Sequence, residues 1–222
     1  MMTSLFGWGG FAATIAVFLL SHSIPVRPAV KAALVARLGT GGFTAAYSAL
    51  SVLALAWMIW AAGRAPVVHL WPWSPWQNYV TAGAMALACL IAALAIGQPN
   101  PLSFGGAHDE RFDPAGPGIV GWVRHPLLVA LLLWSCGHLV PNGQLAHIIL
   151  FGLFAAFAWL GMRMIDRRNR RLLGMAEWQR LATTSRHIRP SVGGCLRAAA
   201  AGIVFMGLLH LHGPVIGVAP AF

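Results

Sequence analysis

Long apolar runs separated by short polar breaks organise this chain from end to end. The runs cover residues 5–24, 43–62, 79–97, 119–140, 148–165 and 196–212. Each is close to the roughly 20 residues an α-helix needs to cross a hydrocarbon core of about 30 Å. The pattern predicts an all-α, polytopic membrane helix bundle of about six spans. The fourth run is the least regular, because Arg124-His125-Pro126 interrupts it. Proline suits the first turn of a helix, where its missing N–H costs nothing. The helix is therefore expected to start near Pro126 and to stop before the Pro141-Asn142-Gly143 turn.

The polar breaks carry an orientation signal. Arg27, Lys31 and Arg37 lie in the first, and Arg111 and Arg124 in the third. The fifth and its flanks hold Arg163, Arg167, Arg168, Arg170, Arg171, Arg180, Arg186, Arg189 and Arg197. Of the fifteen basic residues, only Arg64 falls on the other side. Basic loops stay cytoplasmic, so both chain ends are expected outside, in a multi-pass protein of a bacterial inner membrane. The second break, residues 64–77, holds His69, Trp71, Trp73 and Trp76. Two readings stand for it: an interfacial aromatic belt, or a lid over a lipophilic ligand. The first half of the fifth break, residues 166–181, is expected to continue the fifth helix or to lie on the membrane surface.

Composition narrows the class. The chain has 222 residues, 58% hydrophobic and 9% charged, whereas a soluble domain has roughly 25% charged. It reads as one membrane domain over residues 1–222, with membrane lipid as its first partner. The net charge of +10 fits anchoring against anionic lipid. Nucleic acid is not expected, because no basic run is interleaved with aromatics. Cys89, Cys136 and Cys195 form no CxxC pair, and a disulfide framework is not expected. Residues 5–20 resemble a leader, yet Met1–Ser4 carries no positive charge, so the segment reads as a retained span.

Histidine is the informative residue: nine are present against five carboxylates. His22, His125 and His138 lie in or at the ends of apolar runs, and His210 and His212 near the end of the last. An ionisable residue inside a membrane is a functional candidate. The plainer reading is an amphipathic ring bonded to a carbonyl or headgroup. With so few carboxylates, hard Mg²⁺ or Ca²⁺ sites are disfavoured. Two histidines on different helices suit a haem iron instead. No P-loop, dinucleotide fingerprint, zincin motif or Ser nucleophile elbow occurs. Asp166 has two readings as well: a surface ion pair, or a polar site at one membrane face with Arg124 and His125.

The ordered set Ser21-His22-Ser23, Gln98-Pro99-Asn100-Pro101, Arg124-His125-Pro126, His138 with Asn142-Gly143, and Asp166 before an arginine-rich stretch resembles the NnrU family over nearly the whole chain. The resemblance implies an association with denitrification, specifically with nitrite and nitric oxide reductase function. A relative, plant 15-cis-ζ-carotene isomerase, implies haem b and a lipophilic polyene substrate. Its axial ligands match His22 and His138, and Arg124 and His125 join them as candidate cofactor-binding residues. The relative's cysteine near the second ligand is replaced by Ser135, with Cys136 beside it. A more distant resemblance, to isoprenylcysteine carboxyl methyltransferases, rests on Arg124-His125-Pro126, Trp178 and Pro190, with Asp166 in place of a glutamate. It implies S-adenosylmethionine at the cytoplasmic face. A non-catalytic assembly factor is the third reading. Depth complicates the haem pair. His138 lies about 20 Å beyond His125 along a straight helix, whereas His22 sits at the cytoplasmic end of its span. His22/His138 and His22/His125 both stand as ligand pairs.

Overall fold

The computed structural model describes residues 2–187, 190–218 and 220. Arg189, one of the basic residues of the fifth break, and Phe222, the end expected outside, lie outside the described residues. The fold is all-α, and no strand occurs among the described residues. The helices are α1 (Met2–Ser23), α2 (Pro28–Ala62), α3 (Pro75–Ala95), α4 (Pro126–Leu139), α5 (Leu145–Leu173), α6 (Met175–Ala182) and α7 (Val192–Ile216). Four of them, α2, α3, α5 and α7, are long and apolar enough to cross a membrane. Their outward faces are apolar too: Leu53, Ile203 and Val215 are each more than two-thirds exposed. Such surface is stable only against lipid or another apolar partner.

The apolar runs locate α1, α3, α5 and α7 closely, α4 starts at Pro126 as expected, and the first break differs. The first break is mostly helical, because α2 starts at Pro28. Its residues Ala29, Lys31, Ala32, Ala33 and Leu34 are good helix formers, which outweighs the charge at Lys31 and Arg37. Gly39 then interrupts α2 with φ 71° and ψ 168°, and the helix resumes at once. That backbone region is essentially closed to residues with a Cβ. The part after the interruption, residues 40–62, matches the second apolar run.

The fourth run is shorter than its apolar length. Residues Gly118–Gly121 form a 3₁₀ turn and α4 begins at Pro126, the start expected from the sequence. Glycines at 118 and 121 and Pro117 explain the delay. With 14 residues, α4 is about 21 Å long. It packs against α3 by close backbone approach. A Cβ on Gly137 would sit 2.8 Å from that of Ala84, and Thr81 donates its hydroxyl to the Gly137 carbonyl at 2.8 Å. Small residues and hydroxyl bonds of this kind hold helices together where apolar burial gives no driving force.

The chain packs as two compact units, residues 1–71 with 144–150, and residues 72–143 with 151–222. In the first, α1 packs on α2, around buried Phe11, Phe18, Phe43 and Met58. The His69–Gln144 bridge closes this unit's loop. In the second, α3 packs on both α4 and α7. Arg197 of α7 donates to the Ala93 and Ile96 carbonyls at the end of α3, at 3.2 and 2.6 Å. These are two of the carbonyls a helix end leaves without intrahelical partners. α5 extends past its apolar part to Leu173, and after Gly174 the amphipathic α6 tucks Trp178 and Leu181 against Leu102. Of residues 166–181, the first half therefore prolongs α5, as one of the two expectations had it, and the second forms a separate helix.

Candidate functional site

A polar cluster in the second unit is assembled from three distant stretches. Asn100-Pro101 opens a turn in which the Ser103 amide donates to the Asn100 carbonyl at 3.2 Å; proline favours the second position of such a turn. The Asn100 side chain fixes two strands of backbone at once. Its Nδ2 donates to the Arg124 carbonyl at 3.0 Å and its Oδ1 accepts from the Leu102 amide at 3.3 Å. The Asn100 amide itself donates to Asp109 at 2.8 Å. Asn169 of α5 donates to the Leu102 carbonyl at 2.8 Å. The residues just before Ser103 and His125 are thereby held in place.

Pro126 at the start of α4 forces the residue before it out of the helical region. His125 adopts φ −116° and ψ 67° accordingly, and its ring is buried. Asp166, on α5, meets it. The Oδ1 of Asp166 lies 3.2 Å from His125 Nε2, and its Oδ2 accepts from Arg124 Nη1 at 2.9 Å. The other imidazole nitrogen, Nδ1, lies 3.1 Å from the Ser103 hydroxyl. A carboxylate only accepts, so Nε2 carries the proton and Nδ1 offers its lone pair to Ser103. Burial pushes His125 below the usual imidazole range, against the opposing pull of Asp166. The ring is thus neutral at neutral pH, with both nitrogens engaged.

The sequence placed Arg124, His125 and Asp166 as one possible group, and the fold brings them together. Ser103, Asn100 as a clasp and Asn169 were not anticipated as members. The signal for Ser103 was its position at the end of the Asn100-Pro101 turn. Arg124 and Arg170 also stack on Trp178, with guanidinium carbons 5.0 and 4.1 Å from its ring centre. The buried Trp178 indole N–H has no partner among the described residues.

Two other candidate histidines, His22 and His138, share a local architecture. His22, in the last turn of α1, has Nδ1 2.8 Å from the Phe18 carbonyl, and its ring lies 4.1 Å from that of Phe18 and 5.9 Å from that of Tyr47. His138, near the end of α4, has Nδ1 2.8 Å from the Trp134 carbonyl, with its ring 5.3 Å from that of Trp134 and 5.1 Å from that of Phe151. A carbonyl can only accept, so each Nδ1 carries the proton and each Nε2 keeps a lone pair. That is how second-shell carbonyls prepare histidine for a metal. The repeating unit is an aromatic residue one helical turn before the histidine, whose ring lies tilted against the imidazole and whose carbonyl fixes the tautomer. His22 belongs to the first unit and His138 to the second. His212 of α7 lies 6.4 Å from His138, ring centre to ring centre.

Among the described residues no group of three or more His, Cys, Asp or Glu side chains gathers as for a metal ion. The two-histidine axial set of a haem does not call for such a group. All three cysteines are free thiols. In the second break, Trp73 donates to Asn78 at 3.2 Å, while Trp76 of α3 is more than half exposed, as an interfacial ring would be.

No curated protein and no solved structure matches the chain. The family model described as NnrU protein matches residues 10–220, which is nearly the whole chain, and the chain therefore belongs to the NnrU family.

Proposed function

We propose that this chain is a haem b-binding membrane protein of NnrU type, with His22 and His138 as the axial ligands. The observation that carries the reading is the matched preparation of these two imidazoles. Each holds its Nδ1 proton on a carbonyl one turn earlier and leaves Nε2 without a partner among the described residues. His125, the depth-based rival, has both nitrogens engaged by Ser103 and Asp166, which favours His138 over it. Aromatic rings around both histidines suit a macrocycle edge, and Arg124 remains a candidate for its carboxylate side. Bound haem iron would supply electron transfer or direct attack on a polarisable bond. The family resemblance then points to support of nitrite or nitric oxide reduction, or to isomerisation of a lipophilic polyene.

The absorption spectrum of the detergent-purified chain tests this reading. A Soret band with low-spin features is expected. His22→Ala and His138→Ala should each lose or change it, because bis-imidazole ligation needs both rings. His69→Ala and His147→Ala should leave it intact. Loss of the low-spin signal in His125→Ala, with His138→Ala unchanged, would falsify the assignment.

The same reading places the chain in a bacterial inner membrane with about six crossings and both ends outside. The basic bias of the odd-numbered breaks supports it. Reporter fusions at the breaks and at the chain end measure the arrangement. Cytoplasmic activity of a reporter fused after Phe222 would exclude it.

A further inference from the structure

A serine, a histidine and an aspartate are aligned in the polar cluster, and neither the family match nor the haem reading uses them. We propose that Ser103, His125 and Asp166 form a nucleophile, base and orienting acid for acyl transfer from a lipophilic ester or thioester. The Ser103 Oγ lies 3.1 Å from His125 Nδ1, and His125 Nε2 lies 3.2 Å from Asp166 Oδ1. Both distances are within the reach that a nucleophile, its base and the base's partner require. Such an array is recognised by geometry and roles rather than by chain order. Here the serine uses Nδ1 and the aspartate Nε2, the reverse of the better-known assignment. Either nitrogen of imidazole can take a proton, so the chemistry is equivalent.

The surroundings fit the roles. Arg124 occupies the second oxygen of Asp166 at 2.9 Å and fixes the carboxylate. His125 is almost fully buried, whereas Ser103 is partly open to the outside. Phe104, next to Ser103, is half exposed and offers an apolar surface for an acyl chain entering from lipid. Gly105, at φ 87°, and Gly106 follow, and neither amide donates a hydrogen bond among the described residues. These amides are candidate donors for the oxyanion of a tetrahedral intermediate.

The step balances without any further cofactor. Ser103 Oγ bonds to the acyl carbon while its proton passes to His125 Nδ1. The tetrahedral centre collapses, and the alcohol or thiol leaves with that proton. Water, deprotonated by His125 Nδ1, then attacks the acyl-serine; the ester bond to Ser103 Oγ breaks as His125 returns the proton to that oxygen, and the carboxylic acid is released. Asp166 accepts the Nε2–H throughout and stabilises the transient imidazolium.

The test uses a fluorophosphonate probe on the full-length chain in micelles, with peptide mass spectrometry to locate the adduct. An adduct on Ser103 is expected, and none there in Ser103→Ala. His125→Gln should slow labelling by about 100-fold or more, the usual contribution of a general base. Asp166→Asn should also slow it, while unfolding curves show that each variant remains folded. His69→Ala, at a residue of neither site, should label at the normal rate, and labelling is read without reference to the Soret band, which separates this site from the haem reading. Absence of any adduct on Ser103 in the folded wild-type chain overturns the proposal. So does labelling that His125→Gln leaves unchanged, since the serine would then be an ordinary hydroxyl. Binding of S-adenosylmethionine that is lost in Asp166→Ala, with no adduct on Ser103, overturns it in favour of a methyl-donor site.

Discussion

Replacing Asp166 by alanine should lower the stability of the second unit by roughly 2–3 kcal/mol, the largest effect expected from a single polar residue here. Asp166 is the shared acceptor of Arg124 and His125. Its removal leaves a guanidinium without its carboxylate and a buried imidazole N–H without an acceptor. Arg124 keeps about a third of its side chain exposed, so water recovers part of the loss and the figure stays below that for a fully buried pair. The measurement is denaturant unfolding in micelles, followed by tryptophan fluorescence. The doubly substituted chain, Asp166→Ala with Arg124→Ala, should be less destabilised than the two single changes added together. A loss under about 0.5 kcal/mol for Asp166→Ala would mean that the cluster is a solvated surface pair.

The second large effect is steric. Gly137→Leu should cost about 3 kcal/mol, at the upper end for overpacking. Even a lone Cβ at this position comes within 2.8 Å of the Ala84 Cβ. A leucine must push α4 away from α3 and break the Thr81 hydroxyl bond to the Gly137 carbonyl. Neither change has an easy remedy, because the obstacle lies on the facing helix rather than at the tip of a flexible side chain. A fall in the unfolding midpoint, with helical content retained, is the expected signature. Gly152→Leu provides the contrast, since a Cβ there meets nothing within 4 Å. Equal midpoints for the two variants would contradict the close approach.

The apolar runs made the membrane class and most helices legible, because bilayer thickness imposes a length that few other constraints do. Pro126 marked the start of α4 for a covalent reason. What misled was charge: Lys31 and Arg37 suggested a connection, but the alanines around them form helix. The candidate site was legible only in part. His125 next to Pro126 and Asp166 at the end of an apolar run stand out as ionisable groups in apolar company. Ser103 and Asn100 do not, because both are ordinary turn residues. Their roles depend on partners 22 and 24 residues further along the chain, and no local periodicity records such a pairing. The histidine tautomers were equally hidden, since they depend on which carbonyl each ring meets.

The interruption at Gly39 bears on how the chain fits bilayers of different thickness. An unbroken α2 of 35 residues would be a rigid rod about 52 Å long, far beyond a hydrocarbon core of about 30 Å. With the break, the rod divides into a short arm and a crossing part of roughly 35 Å. That part matches the core at a tilt of about 30°. In a thinner membrane that part would have to lean further, and Gly39, the one non-helical residue inside α2, is where its angle to the short arm would change. Mismatch is then met by a hinge rather than by deforming the lipid.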